Sequence, residues 1–279
     1  MAPYHRIYRV VLLLAAVAHA TTNQDNHVLL ASDEVKAELK KGDDFRDRRD
    51  YDTAIACYTE AIRLEPNNAN AYHSRGYAYH EIRKYDQAIK DYTQAIRLDP
   101  YNANAYHNRG FAYHFKGDFD KAIKNHSHVI RLKPDYALAY YNRGLAYYSK
   151  GEDDQAIKDC TQAIRLNPNY ALAYQQRGSA YHGKRNYDKA IKDCTKAIRL
   201  DPNLAVAYYT RGNTYFRKGE HDKAIKDCTQ AIRLKPDNVW AYQQRGLAYE
   251  QKGDKQNAKA DFDKAKSLDP DFYEPNSLQ

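Results

Sequence analysis

Five histidines recur on a 34-residue register and are the first candidates for chemistry in this sequence: His73 and His107, then His80, His114 and His182. Imidazole binds metals and exchanges protons near neutral pH. His73 and His80 are seven residues apart, about 10 Å along a helix, whereas two nitrogens on one zinc lie at most about 4.2 Å apart. A metal site would therefore have to join neighbouring helices. Stacking or pH-sensitive contacts with a bound peptide are favoured, and we predict no metal site.

Three of the four cysteines, Cys160, Cys194 and Cys228, share another position of the same register. Equivalent atoms of successive repeats should lie roughly a helix diameter apart, beyond the ~4.4 to 6.8 Å that separates the Cα atoms of a disulfide. We expect buried free thiols here. The other repeats place core-filling side chains at this position, namely Tyr58, Tyr92, His126 and Phe262.

Arginine and aspartate also recur together, sixteen residues apart. The first repeat replaces both at once, with Lys41 and Cys57, so the two positions covary within one chain. A half-buried guanidinium needs an acceptor, which predicts a charge-assisted hydrogen bond with a structural role. The arginines are Arg75, Arg109, Arg143, Arg177, Arg211 and Arg245, and the residues sixteen positions later are Asp91, Asn125, Asp159, Asp193, Asp227 and Asp261.

Basic residues recur at two positions in the second half of the repeat and form a lysine row and an arginine row. Aspartates stand four residues before each lysine, the favoured order for helical ion pairs, which predicts that the lysines are largely neutralised. The arginine row then remains as the candidate surface for nucleic acid, acidic lipid or glycan. The lysines are Lys90, Lys124, Lys158, Lys192 and Lys226, and the arginines are Arg97, Arg131, Arg165, Arg199 and Arg233.

Motifs of catalysis are missing from the sequence. There is no glycine-rich phosphate loop, serine nucleophile elbow or metal-protease helix, and the histidines recur as copies rather than as one cluster. We therefore predict no catalytic residue and no cofactor. Asn125 fits a glycosylation pattern with Ser127, but its predicted inward-facing position on a helix argues against modification.

The elements that position these side chains follow from the same period. Seven prolines, from Pro66 to Pro270, and seven glycines, from Gly42 to Gly246, are each 34 residues from the next. Within 69–102, small and aromatic residues recur twice at helical spacing, which predicts two helices. The array of seven such units runs from about 35 to 272.

One unit resembles the tetratricopeptide repeat, whose pattern is met by Tyr72, Gly76, Tyr79, Ala88, Tyr92, Ala95 and Pro100. The resemblance implies an all-α, right-handed superhelical solenoid of seven helix-turn-helix repeats. It indicates scaffolding but names no partner, since such repeats serve many. The predicted repeats are 35–68, 69–102, 103–136, 137–170, 171–204, 205–238 and 239–272, after a linker at 21–34 and before a tail at 273–279.

In this family the first helix of each repeat lines a concave groove, and its exposed positions carry the ligand. Uncharged amide, tyrosine and histidine side chains dominate these positions here. Amides at successive repeats can bind the main chain of an extended peptide, similar to the asparagine ladder of O-linked N-acetylglucosamine transferases. The predicted peptide-binding residues are His73, His80, His107, Asn108, His114, Tyr141, Asn142, Tyr148, Gln175, Gln176, His182, Tyr209, Phe216, Gln243 and Gln244.

The same face is compatible with two other interpretations. The family's carboxylate clamp needs lysine, asparagine and arginine on three successive first helices, but Lys40 is the only basic residue at the fifth and sixth repeat positions. Binding of acidic tails by that clamp is therefore disfavoured. The face could also be solvated without a ligand, as polar helix faces commonly are.

The first twenty residues have the pattern of a secretory signal peptide. Arg6 and Arg9 precede an apolar stretch at 10–18, and small residues at Ala18 and Ala20 provide a cleavage site. The apolar stretch is about half the length that spans a bilayer, which disfavours an uncleaved anchor. We expect a secreted or periplasmic chain with no integral membrane segment, although its formal net charge of +8 includes two charges on this leader.

These observations favour an exported scaffold or adaptor that binds another protein or peptide along its groove. The alternatives are a binder of polyanions or of a cell surface through its convex face, and an assembly spacer between larger partners. No nucleic acid partner is expected. The sequence leaves the partner's identity and the oligomeric state open.

We predict that the mature chain begins at Thr21, because the small residues Ala18 and Ala20 fit the preference of signal peptidase. Intact-mass measurement of the protein recovered from its native host checks this. Recovery of a chain that still carries Met1 contradicts export by this route.

Overall fold

The computed structural model describes residues 33–270, which form fourteen helices and no strand. The predicted leader, most of the linker and most of the tail lie outside these residues. We call the odd-numbered helices, which come first in each repeat, the A helices and the even-numbered ones the B helices. The helices are α1 (33–47), α2 (Tyr51–Leu64), α3 (Ala69–Glu81), α4 (Tyr85–Leu98), α5 (Ala103–Phe115), α6 (Phe119–Leu132), α7 (Ala137–Ser149), α8 (Asp153–Leu166), α9 (Ala171–Gly183), α10 (Tyr187–Leu200), α11 (Ala205–Arg217), α12 (His221–Leu234), α13 (Val239–Gln251) and α14 (Lys255–Leu268).

The predicted all-α class is confirmed, and from α3 onward each helix pair lies within one predicted 34-residue repeat. One boundary is corrected. Asp33 and Glu34 were predicted to lie in the linker but belong to α1. The ion pair from Lys36 Nζ to Asp33 Oδ1, at 3.2 Å, is of the i,i+3 type that supports a helix at these residues.

Local sequence signals begin and end the helices. Asn68 Oδ1 accepts the backbone N–H of Ala71 at 2.9 Å, an N-cap that fixes the start of α3. At the turn between the two helices of a repeat, Gly117 and Gly151 have φ values of 78° and 84°, the left-handed conformation that glycine adopts without steric cost. The sequence therefore specifies a short helix-turn-helix unit locally.

The chain forms two compact units, Met1–Asp118 and Phe119–Gln279. In the first, α2 packs on α3, α3 on α4 and α4 on α5. In the second, each A helix packs on the B helix before it and on the B helix after it, and successive A helices also contact each other. Each unit is thus a succession of packed helical hairpins.

Small residues allow the helices to approach closely. Ala71, Ala78 and Ala88 are fully buried, and a Cβ built at Gly178 would lie 2.8 Å from Cys194 Sγ. The prediction that Cys160, Cys194 and Cys228 are buried and free is confirmed. Burial raises the pKa of the Cys160 and Cys194 thiols to about 12 and also raises that of Cys228, so these thiols are poor nucleophiles.

The predicted arginine–aspartate pair is confirmed as a bidentate contact between the A and B helices of one repeat. Arg177 Nε and Nη2 donate to the two carboxylate oxygens of Asp193 at 2.6 and 2.8 Å. The same contact joins Arg75 to Asp91, Arg143 to Asp159, Arg211 to Asp227 and Arg245 to Asp261.

Each arginine also bonds to a hydroxyl group on the preceding B helix, and this contact was not predicted. Arg177 Nη1 donates to Thr161 Oγ1, at 3.1 Å, on the B helix of the preceding repeat, and the guanidinium carbon lies 5.6 Å from the ring centroid of Tyr174. One side chain therefore fastens three helices from two repeats. We call this contact the arginine bridge. The first repeat lacks it, because Lys41 bonds instead to Glu38 on its own helix at 3.4 Å.

A second contact between repeats shows that the predicted ion pairs within the B helices are wrong. The aspartate in the first turn of a B helix bonds to the lysine that follows the next A helix, rather than to the lysine four residues later on its own helix. The packing of the next A helix brings the lysine that follows it within reach, and the pair is a solvated one of small energy, since 77% of the Asp154 side chain is exposed. The observed pairs are Lys150–Asp120 at 2.8 Å, Lys184–Asp154 and Lys218–Asp188 at 2.7 Å, Lys116–Asp86 and Lys252–Asp222.

We predict that Arg177→Leu lowers the free energy of unfolding by about 3 kcal/mol, because it leaves the buried carboxylate of Asp193 without its partner. The double variant Arg177→Leu with Asp193→Ala should recover most of that loss, since no buried charge remains. Urea denaturation followed by circular dichroism measures both. If the double variant loses as much as the two single variants together, the pairing is not coupled as described.

Candidate functional site

All fifteen predicted binding residues lie on A helices, at three positions of the repeat. Positions 5 and 6 are adjacent near the middle of each helix, and position 12 lies near its end. The structure places His73 and His80 on α3, His107, Asn108 and His114 on α5, Tyr141, Asn142 and Tyr148 on α7, Gln175, Gln176 and His182 on α9, Tyr209 and Phe216 on α11, and Gln243 and Gln244 on α13.

The prediction that positions 5 and 6 are exposed is wrong for several amides. Only 2% of Asn142, 5% of Gln175, 5% of Gln176 and 8% of Gln244 is exposed. The reason is the packing of neighbouring A helices, since α7 contacts α9, α9 contacts α11 and α11 contacts α13. These side chains are thus held in place by the contacts between repeats.

Three of the buried amides at position 6 keep unused hydrogen-bonding groups. Among the described residues, Asn142 Nδ2 and Oδ1, Gln176 Nε2 and Gln244 Nε2 have no hydrogen-bond partner. Buried polar groups in proteins are nearly always hydrogen-bonded, because an unsatisfied one costs about 1 to 3 kcal/mol. We call Asn142, Gln176 and Gln244 the amide row. A ligand reaches these buried atoms only when the side chains turn out of the contact between A helices, where all three can donate and Asn142 can also accept.

Two other predicted amides already bond within the protein. Asn108 Nδ2 donates to His73 Nε2 at 3.0 Å, which places the proton of the neutral imidazole on Nδ1. Gln175 Nε2 donates to Ser179 Oγ at 2.9 Å and to Thr210 Oγ1 at 3.3 Å. The amide row therefore differs from these residues in keeping hydrogen-bonding groups that the protein itself does not use. The residue type alone does not reveal this difference.

Aromatic side chains at position 12 pack mainly onto the following B helix. His80 makes edge contacts with the rings of Tyr85 and Phe115, with centroids 5.3 and 5.6 Å apart. His182 lies against Tyr187 at 5.7 Å, and Phe216 lies against His221 at 5.4 Å. These contacts leave the three rings partly buried.

Tyr148 is the exception at position 12, because 38% of it is exposed. An apolar stripe at position 2 was not predicted. Leu172, Val206 and Trp240 are 38%, 40% and 59% exposed. Each lies three residues before a position 5 side chain and so shares its helix face. The signal that could have found them is an apolar residue preceding a polar position on three successive A helices.

A pocket in the first unit is lined by Arg46, Tyr51, His73, Tyr77 and Glu81. Burial lowers the pKa of His73, with a smaller contribution from Arg46. Within residues 33–270 no three His, Cys, Asp or Glu side chains are grouped to hold a metal ion. The same stretch has no helix both long enough and apolar enough to cross a membrane.

The glycosylation pattern at Asn125 lies inside the packed structure. Asn125 is 6% exposed and its Nδ2 donates to the carbonyl oxygen of Lys121 at 2.8 Å. The predicted inward-facing position is therefore confirmed.

We predict that the chain loses stability as the pH falls from about 6.5 to about 4, the range between the ordinary pKa of histidine and that of His107, which burial lowers to about 4. Because the unfolded chain binds the proton more readily, His107 lowers the free energy of unfolding by about 1 to 2 kcal/mol at about pH 5 and contributes nothing above about pH 7.5.

His107→Gln is the matched variant, since Gln175 and Gln243 occupy the same repeat position. Urea denaturation at about pH 7.5 and about pH 5 should show a smaller acid loss for this variant. An equal acid loss in both proteins would exclude His107 as a source.

Comparison with known proteins places these repeats in a family. Sequence models of the TPR repeat match residues 42–82, 84–117 and 113–151. Models of the tetratricopeptide repeat match 137–170, 171–204, 205–238 and 241–272. No curated protein matches the chain.

Solved structures agree with the family models. A tetratricopeptide repeat protein from Parabacteroides merdae is 24% identical, with a TM-score of 0.73 over 85% of this chain and 94% of that one, and shows the fold alone. YrrB, described as a TPR protein with an unusual peptide-binding site, is 25% identical, with a TM-score of 0.52 over 66% and 95%. MamA is 35% identical, with a TM-score of 0.51 over 58% and 94%. The chain therefore belongs to the tetratricopeptide repeat family.

Proposed function

We propose that this protein is a scaffold or adaptor that binds an extended polypeptide along the A helices of its second unit. Family membership and the structural neighbours support a role in protein–protein interaction at the coarse level. The finer proposal, an extended peptide bound by its main chain, depends on the side chains of α7, α9 and α13.

The observation that carries the proposal is the amide row. Asn142, Gln176 and Gln244 present buried polar atoms without partners on A helices of one unit. An extended peptide offers a backbone N–H and C=O at every residue, and a side-chain amide can pair with either group. Each such hydrogen bond contributes about 0.5 to 1.5 kcal/mol.

Side-chain recognition is assigned to the exposed apolar groups beside the row. Leu172, Val206 and Trp240 offer apolar contact on the same helix face, and Tyr148 adds a half-exposed ring with a polar tip. Such a surface favours a partner segment with apolar side chains and low charge. The peptide-binding site named for YrrB, a protein of the same fold, supports this class of ligand.

Export is part of the proposal and rests on the leader pattern at 1–20. The partner would then be met outside the cytoplasm, by a secreted or periplasmic protein. No catalytic role is assigned to any residue.

The test uses peptides of about twelve residues selected on the purified chain from a phage-displayed library. In the triple variant Asn142→Leu, Gln176→Met and Gln244→Met, the amides become apolar groups of similar shape. We expect calorimetry to show at least about tenfold weaker binding of the selected peptide, because three hydrogen bonds are lost. The melting temperature should not fall, since the variant removes unsatisfied buried groups.

Gln175→Met is the matched control. Its amide already bonds to Ser179 and Thr210, so the variant should lower the melting temperature while leaving peptide affinity within about twofold. The variant with Arg131, Arg165 and Arg199 changed to serine on the B helices should also retain binding. Normal affinity in the triple variant would refute recognition through the amide row.

A further inference from the structure

The B helices of the second unit carry two rows of exposed cations. The lysine row comprises Lys124, Lys158, Lys192 and Lys226. The arginine row lies seven residues further along each helix, about 10 Å away, and comprises Arg131, Arg165, Arg199 and Arg233. We call the two rows together the cation face.

The lysine row is not neutralised, contrary to the prediction from helical spacing. The aspartates that precede these lysines bond to lysines of the following repeats, as in the pairs Lys150–Asp120 and Lys184–Asp154. Among the described residues, no ion pair involves Lys158 or Lys192, and the same holds for Lys124 and Lys226. The cation face therefore carries about two uncompensated charges per repeat.

Successive residues of each row lie on successive B helices, and the arginine bridge joins these helices. Arg177 bonds to Thr161 on α8 and to Asp193 on α10, which brings the two B helices within the span of one guanidinium. Lys158 lies three residues before Thr161, and Lys192, its equivalent in the next repeat, lies one residue before Asp193. Arg143 and Arg211 extend the same connection to α6 and α12. The lysines and arginines therefore form a two-dimensional basic patch that extends along each B helix and from one B helix to the next.

The residues in and around the cation face limit the kinds of ligand that it can bind. The large hydrophobic residues exposed in the described chain lie outside the B helices, so this face has no apolar anchor. His128 is the one ring beside the two rows, whereas binding of unpaired bases depends on stacking platforms. A single-stranded polyanion would lie along one row of cations. A plane of negative headgroups can engage both rows at once.

We propose that the cation face adsorbs onto an anionic lipid surface through phosphate-bearing headgroups. Each lysine or arginine held near such a surface strengthens binding about fivefold, without insertion into the bilayer. The face uses the B helices, whereas the proposed peptide site uses the A helices, so the two ligands do not compete for side chains. The protein would then present a bound polypeptide at a membrane surface.

The test is co-sedimentation of the full chain with vesicles. One set contains phosphatidylcholine alone, and the other contains about 30% phosphatidylglycerol. We expect binding to the anionic vesicles alone, weakening as salt rises because exposed charges are screened beyond about 8 to 10 Å. The variant with Lys124, Lys158, Lys192 and Lys226 changed to glutamine should bind about tenfold more weakly or worse.

A control with the same loss of net charge changes Lys40, Arg83, Lys84 and Lys255 to glutamine. These side chains are exposed and make no ion pair among the described residues, and they lie off the cation face. The control should retain vesicle binding to within about threefold. Both sets of changes leave the amide row intact, so the selected peptide should bind normally to each variant. Failure of the peptide proposal is thereby distinguishable from failure of this one.

Three results would overturn the proposal. Equal weakening in the two variants would show that net charge alone matters. Equal binding to neutral and anionic vesicles would exclude headgroup charge. Retention of the chain on duplex DNA or a sulfated polysaccharide, without binding to anionic vesicles, would assign the face to a linear polyanion instead.

Discussion

A guanidinium buried between helices must have its N–H groups satisfied, and this requirement organises the repeat. Arg177 meets it with both carboxylate oxygens of Asp193, the hydroxyl of Thr161 and the ring face of Tyr174. The four partners come from three helices, so a shift of α10 would leave the charges of Arg177 and Asp193 uncompensated and a shift of α8 would break the bond to Thr161. The adjacent Gly178 lets the helices approach closely enough for these bonds to form.

Because the arginine bridge and the small residues fix the stack, other A-helix positions can hold groups that do not favour folding. The amide row is of this kind, since its unsatisfied polar atoms cost free energy in the unliganded chain. Strained or unsatisfied groups persist only where the surrounding structure over-determines them. A ligand that completes their hydrogen bonds would recover that cost on binding.

The period and the covariation within one chain were sufficient to predict the helix pairs and the arginine–aspartate contact. The third partner escaped prediction because Thr161 and its equivalents read as ordinary solvated helix residues. The burial of Asn142 and Gln176 depends on how closely successive A helices pack, which no single repeat encodes. The partner of Asp154 was wrong for a similar reason, since Lys158 on the same helix competes with Lys184, a residue that only the fold brings near.

The distribution of arginine bridges also determines which part of the array unfolds locally first. Every bridge couples a repeat to the one before it, but Lys41 and Cys57 leave the first repeat without a guanidinium clamp of its own. It is attached to the second repeat by Arg75, which bonds to Thr59 on α2, and by the packing of Ala61 against Ala71, but its own two helices lack the clamp. In an array whose stability is a sum of nearest-neighbour terms, the most weakly coupled segment detaches first. Amide hydrogens of α1 and α2 should therefore exchange with solvent through local fraying, while the bridged interior opens only in larger cooperative steps.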